Sequence, residues 1–520
     1  MLWAIIKRVK RKFARKFAGG DGGAAYGGSL KAGIDCLNDG DFEAARRHLS
    51  TALAAAPDDR DALYHLAVAE ARSGNLERAE EMFETAREHS DDAEVNSALG
   101  NVYRLGGRLA EAIASYERAL AADNAHVVAL TNLGLCLRDQ GVPAQALAVL
   151  DRALALAPNC VEAWFNKALA LTDMGEGEAA YALVEKVLAL DPAFAQAHLQ
   201  RAFLLLKRGD FAAGWREYAW RVRIPELDRW RDYPYPQWEG EDLAGKRVLV
   251  QAEQGLGDQI MFGSCLPDLV SRAQQAVIEC DPRLTGLFAR SFPGARVYRY
   301  RLKGEPEWKR EPVPDYRARY GDLPRMLRNN AADFPQHGGY LVPDPAKVVD
   351  WRARVSALGP GLKVGVSWRG GTPGTGQAAR SLALDALLPI LSVPHTRFIS
   401  LQYGQVQDEI AALEARHGIA LGAWPQAMTD MDEMAALITA LDLVVTVCGT
   451  AAHLSGALGK TACVLVPAVA EWRYLETGSR IPWYPALRLF RQPGPGAWNA
   501  AVEPIRAELE ARAAIAAVAR

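Results

Sequence analysis

Two glycine-bearing loops carry the residue types best able to do chemistry in this chain. The stretch EQGLGDQIMF, residues 253–262, follows the apolar run KRVLVQA and sets Gln254, Gly255 and Gly257 directly before Asp258. Glycines after a strand let a backbone approach a ligand closely. Phosphate is the usual guest of such loops, yet this one ends on a carboxylate. Asp258 is equally suited to cap a helix starting at Gln259. The second loop lies in VTVCGTAAHLSGALG, where a strand ends at Val447, Gly449 permits a tight turn and a helix begins near Thr450. The exposed N–H groups and dipole of a helix start suit a phosphate. Thr450 adds a hydroxyl, and His453, one turn in, can reach the same anion; its other reading is a structural helix histidine.

Other chemistries fail on spacing. A dinucleotide fingerprint needs a third glycine three positions after the second, and Ile260 stands there. The full phosphate-loop pattern, Gly-x-x-x-x-Gly-Lys-Ser/Thr, is not present. Asp430-Met-Asp432 matches a metal-holding Asp-x-Asp pattern, but it precedes the helical stretch EMAALITALD with Glu433 three residues on, as in a capping box. It reads as a cap, and no metal is expected.

The elements that position these loops follow from the chain as a whole. Its 520 residues exceed a single core, and a net charge of −2 gives no bulk attraction for nucleic acid. Seven scattered cysteines, an odd number without ligand spacing, read as reduced thiols of a cytoplasmic protein. MLWAIIKRVKRKFARKF alternates apolar and basic residues at helical spacing, which suits an anionic membrane surface or a solvated tail. GGDGGAAYGG reads as a flexible linker after it.

Glycines then recur at 40, 74, 107, 141, 175 and 209, with a small residue five positions later (Ala45, Ala79, Ala112, Ala146, Ala180, Gly214). A larger apolar residue follows four further on, from Leu49 to Tyr218. Each unit predicts two helices: the glycine ends the first, the small residue lets them approach, and Pro57, Pro158 or Pro192 stops the second. The sixth unit loses the pattern and gains aromatics. Beyond an aromatic, Pro-rich connector, the runs RVLVQA, QAVIEC, KVGVSW, TRFISLQ, LDLVVTV and TACVLV alternate with helical stretches, which predicts parallel sheets covered by helices.

The repeats resemble the tetratricopeptide repeat. Asn132, Asn166 and Gln200 fall where that repeat faces its concave groove, an arrangement similar to the asparagine ladder of the eukaryotic O-GlcNAc transferase; the alternative is a set of bonds between repeats. The motifs AEQGLGDQIMFGSCLPDL, VGVSWRGG, LDLVVTVCGTAAHLSGALGK and EWRYLETGSRIPWYPALRLFRQ occur in that order. Together they resemble the glycosyltransferase family 9 (heptosyltransferase) domain across residues 240–495. With its repeats the chain is similar to bacterial flagellin and protein glycosyltransferases.

The resemblance implies an all-α solenoid followed by an α/β GT-B fold of two Rossmann-like lobes. The expected boundaries are 1–27 for the basic segment and linker, 28–224 for the repeats, 225–350 for the acceptor lobe with its connector, and 351–520 for the nucleotide-sugar lobe. It further implies an inverting, metal-independent glycosyltransferase that needs no cofactor. Asp258 matches the position of the base in that family, with Gln254, Gly255 and Gly257 as the acceptor loop. Gly449, Thr450, Ala451 and His453 would hold the donor phosphates, with Trp368 and Arg369 beside them and Gln402 against the nucleotide base. Many relatives carry Asp-Thr where this chain has Cys448-Gly449. Trp472, Arg473, Trp483 and Tyr484 line the cleft or pack the lobes together. The partners implied are a protein acceptor on the groove and a nucleotide sugar, in the cytoplasm, with residues 2–17 touching the inner membrane surface under the tail's first reading. A lipopolysaccharide or glycolipid acceptor and a non-catalytic scaffold are the alternatives.

Overall fold

A computed structural model describes residues 21–225, 227, 231–371 and 376–518. The basic stretch 2–17 lies outside them. The chain divides into two compact units, Met1–Ala197 and His198–Arg520.

In the first unit the glycine period sets the helix ends. Gly40, Gly74, Gly107, Gly141 and Gly175 all take positive φ, between 75° and 88°, which a side chain would strain. Each closes a helical hairpin, from Asp21–Asp39 with Phe42–Ala55 to Val161–Asp173 with Gly177–Leu190. The small residues are needed because the paired helices touch. A Cβ on Gly33, Gly100 or Gly134 would come within 2.5–2.6 Å of the side chains of Leu49, Tyr116 and Leu150. Ala45, Ala79, Ala112, Ala146 and Ala180 are correspondingly buried.

The glycine-rich stretch expected to be a linker is helical from Asp21 onward. Tyr26 and Leu30 explain this: both are buried in one apolar cluster with Ala45, Leu49 and Leu66. Burial of those side chains outweighs the helix cost of Gly27 and Gly28, which have open space around them.

The sixth register belongs to the second unit. Helix Phe211–Tyr218 is capped by Asp210 and continues into the 3-10 turn Ala219–Arg223. Its Trp215 and Tyr218 pack edge-on or tilted against Phe262 and Trp472. The connector is ordered as expected over its described part: Tyr233 and Trp238 are buried, and Tyr233 donates to Glu279 at 3.0 Å.

Two parallel sheets follow. The first contains β1 (Arg247–Gln251), β2 (Gln275–Cys280), β3 (Ala295–Arg299) and β4 (Tyr316–Arg319) in the order β3-β2-β1-β4. The second contains β5 (Leu362–Ser367), β6 (Thr396–Ser400), β7 (Leu421–Ala423), β8 (Leu443–Val447), β9 (Ala462–Val466) and β10 (Leu487–Arg491). Its order is β10-β9-β8-β5-β6-β7. The central strands are buried along their length, as parallel strands covered on both faces must be.

Helix Pro345–Ser356 packs through Trp351, whose indole donates to Glu433 at 2.8 Å, and through Lys347, 2.7 Å from the same carboxylate. The lobes meet at several points. Arg290 donates to both oxygens of Asp432, at 2.8 and 3.2 Å, and the N–H groups of Tyr340 and Leu341 donate to the Ala457 carbonyl. At Gly459 (φ 68°) a Cβ would sit 1.7 Å from the Gly338 oxygen, so only glycine permits that contact. Asp430 caps helix Met431–Ala440, accepting from the Asp432 and Glu433 N–H groups at 2.8 and 3.3 Å. Among the described residues no helix is long and apolar enough to cross a membrane.

Candidate functional site

β5 and β8 lie side by side at the centre of the second sheet, although the connections leaving them run to opposite edges. Such a reversal opens a crevice beyond the carboxyl ends of the two strands, where ligands of these sheets bind. The loops after these strands touch there. A Cβ on Gly370 would fall 2.1 Å from the Cys448 carbonyl oxygen, so glycine at 370 is what lets them meet. Gly449 is itself extended (φ 175°) and does not make the tight turn expected of it.

A cleft of about 800 Å³ occupies this crevice. Arg369, Gly449, Thr450 and Ala451 line it, and Leu256 and Arg283 close it from the first lobe. Thr450 opens helix Thr450–Ala457, and Gly449 has no side chain with which to cap the first N–H groups. The far wall is apolar, with Leu401, Tyr403, Met428, Met431 and Met434. Each cleft arginine is neutralised locally. Arg369 Nη1 donates to Glu409 at 2.7 Å, and Arg283 forks onto Asp281 at 2.9 and 2.8 Å.

Three expected donor contacts have other work. Gln402 is buried, and its Oε1 accepts from the Ser367 hydroxyl and the N–H groups of Trp368 and Arg369 at 2.8–3.0 Å. Its Nε2 donates back to the Arg369 carbonyl at 3.2 Å. The side chain therefore braces the loop after β5 and is spent before it could reach a base. Trp368 is buried, with its indole N–H on Glu409 at 3.0 Å. His453 lies inside the lobe contact: Nδ1 is 3.2 Å from the Tyr484 hydroxyl, and a Cβ on Gly257 would meet its Cδ2 at 3.3 Å. Burial, with the Arg473 charge second, pulls the His453 pKa down to about 4. Cys448 is likewise buried, its thiol on the Leu465 carbonyl at 3.7 Å.

In the first lobe the loop after β1 leads into helix Leu256–Phe262, so the helix starts two residues before Asp258. Asp258 is its third residue, not its cap. Oδ2 accepts from the Gly255 N–H at a long 3.4 Å, while Oδ1 takes both Nε (3.0 Å) and Nη2 of Arg473 from the second lobe. Burial works against the Arg473 charge, but Asp258 and Glu471 outweigh it and raise that guanidinium's pKa. Gln254 takes a left-handed backbone (φ 60°) and accepts the Tyr218 hydroxyl at 2.9 Å. Beside it, buried Glu253 is held by Arg221 at 2.7 and 3.1 Å, and Arg221 also reaches Asp322 at 2.8 Å. Trp472 and Trp483 are core residues, packed with Trp215 and Phe262.

The carboxamides of the first unit bond between repeats. Asn132 Nδ2 donates to Asn101 Oδ1 at 2.8 Å, the atom that also accepts the Tyr116 hydroxyl, and Asn166 donates to the Thr131 carbonyl at 3.2 Å. Both are nine-tenths buried. Gln200, also buried, falls in the second unit.

Family models of the tetratricopeptide repeat match residues 37–102, 91–159 and 131–193. Residues 37–193 are built of tetratricopeptide repeats. Protein FlbA of Caulobacter vibrioides is 34% identical over 307 residues, covering 56% of this chain and 51% of that protein. The chain thus spans about half the length of the curated relative it matches. The matched stretch is longer than the 197-residue first unit, so it takes in part of the α/β half as well. Among solved structures, the tetratricopeptide protein TTC0263 of Thermus thermophilus is 24% identical over 35% of this chain and 99% of its own, with a TM-score of 0.32. For pilF of Pseudomonas aeruginosa the values are 22%, 40%, 94% and 0.34.

Sequence reasoning missed Arg283 and, for Arg473, missed its partner. Arg283 follows the end of β2, a strand-to-loop junction that could have marked it. The pairing of Arg473 with Asp258 spans 215 residues and the lobe boundary, and no local pattern announces it. The last tetratricopeptide register supplied one clue of its own, since its added aromatics are those that pack against Trp472.

Proposed function

We propose that this chain is an inverting, metal-independent glycosyltransferase that moves a sugar from a nucleotide sugar to a hydroxyl of a protein docked on the tetratricopeptide repeats. The observation that carries this reading is the cleft at the β5/β8 reversal, with an uncapped helix start on one wall and the Gly-rich loop of the other lobe opposite. The nucleoside diphosphate would lie at Thr450 and Ala451, with Arg369 turning from Glu409 to the phosphates, and the nucleoside against the apolar wall. The acceptor oxygen attacks the anomeric carbon as the bond to phosphate breaks, inverting that centre. The nucleoside phosphate leaves, and the hydroxyl proton passes to Asp258 Oδ2, which among the described residues bears only the long Gly255 contact. The likeness to FlbA, which extends past the repeats, supports reading both halves as one working unit.

A panel of nucleotide sugars screened by thermal shift, then assayed for transfer to protein acceptors with and without EDTA, tests the reading. Stabilisation by one nucleotide family and chelator-resistant transfer are expected. Binding of peptides with no transfer from any donor would leave a scaffold instead.

A further inference from the structure

Resting on that reading, we infer that Arg473 is the positioning residue for Asp258, a second-lobe guanidinium that sets the orientation of the first-lobe base. Both its Nε and its Nη2 donate to one carboxylate oxygen, Oδ1. Two donors on one oxygen fix the rotation of the carboxylate and leave Oδ2 as the proton acceptor.

The guanidinium is itself held from other directions. Glu471 Oε2 lies 3.5 Å from Nη1, and Glu471 is anchored in turn by Arg380 at 2.6 Å. Below it the Trp472 ring is 4.6 Å from the guanidinium carbon. Trp472 is buried among Phe262, Trp215 and Phe203. Arg473 and Asp258 are each only about one-fifth exposed or less, at 17% and 21%, so solvent screens the pair weakly. A planar fork of this kind is not replaced by the single rotating ammonium of lysine. The base is therefore in place only when the lobe carrying the donor site stands against it.

The test compares full-length protein with Arg473→Ala and Arg473→Lys, using the nucleotide sugar found to bind. Arg473→Ala is expected to fold, to keep donor affinity by calorimetry, and to lower kcat about 10²-fold, the scale of a displaced catalytic group, with KM little changed. Added guanidinium ion, at concentrations well below those that unfold the protein, should restore part of the lost kcat. Arg473→Lys should fall between the two. Transfer by Arg473→Ala within about twofold of the parent overturns the inference, since a displaced base costs far more. So does joint loss of donor binding and kcat without guanidinium rescue, the mark of a merely structural role. If the parent itself transfers from no donor, the transferase reading falls and takes this inference with it.

Discussion

The Tyr218 hydroxyl donates to Gln254 Oε1 at 2.9 Å, joining the last repeat helix to the loop that leads to Asp258. Gln254 has a left-handed backbone, which costs a non-glycine residue on the order of 1–3 kcal/mol unless its surroundings hold it. Tyr218→Phe removes the bond and keeps the ring. It should destabilise the second unit by about 1 kcal/mol and lower transfer more than donor affinity. Denaturant unfolding paired with nucleotide calorimetry checks both halves of that expectation.

The same contacts decide where the chain can be cut. A chain starting at Ala195 keeps Trp215, Tyr218 and Arg221 and should fold, bind nucleotide and fail to modify a protein acceptor. One starting at Pro225 leaves buried Glu253 without Arg221, a loss of about 3–5 kcal/mol, and uncovers Trp472. It should be insoluble or molten. Equal thermal transitions for the two chains would show that the sixth register is dispensable to the α/β half.

Asp258→Asn keeps the shape and an oxygen at Oδ1 but neither accepts a proton nor balances Arg473. Turnover should fall about 10²–10⁴-fold. The melting temperature should fall as well, because Arg473 loses its counter-charge. Near-parental turnover in this variant would place the base elsewhere.

His453 gives the second unit an acid weakness. Its folded pKa is pulled to about 4, by burial first, against an ordinary value of 6.5. Between those values the unfolded chain takes up a proton that the folded chain does not. Stability is therefore lost as pH falls from 6.5 toward 4, by about 2 kcal/mol at pH 5. His65, buried and also at about 4, does the same in the first unit. All tryptophans except Trp3 and Trp164 belong to the second unit, so tryptophan-monitored unfolding at pH 7.5 and 5 follows His453 together with His337, whose pKa burial also lowers. His453→Leu should flatten the difference; an unchanged pH slope would refute the assignment.

Because Asn132 and Asn166 bond between repeats, their replacement acts on the repeats themselves. Asn132→Ala strips Asn101 of a donor and should cost the first unit about 1 kcal/mol. A rise in the acceptor KM beyond that seen with an equally destabilising substitution away from the groove would show a direct peptide contact. Circular dichroism and acceptor kinetics on both variants separate the two effects.

Legibility in the sequence followed burial. The six strands read from apolar runs include β1, β2, β5, β6, β8 and β9, all inside their sheets. The four missed, β3, β4, β7 and β10, are the edges. Edge strands such as ARVYR and LRLFR mix arginine with apolar residues because one flank meets solvent, so their runs are short or interrupted. The repeats were readable because a left-handed glycine and a helix contact recur at fixed spacing. Glycine misled where Tyr26 and Leu30 find a core, and at Gly449, whose backbone is extended. At the site, backbone features such as Thr450 and Ala451 were legible from local pattern. Gln402 and His453 were not, since their partners come from other strands and from the other lobe.

The division of the chain falls inside helix Ala195–Arg208, ahead of the register that grips Glu253 and Gln254. The preceding repeats form a separate compact unit, each stacked on its neighbours. A change in the repeats before that point leaves in place the bonds that Tyr218 and Arg221 make to Gln254 and Glu253. The helix near Ala195 is then the natural seam for grafting a different set of repeats onto the α/β half.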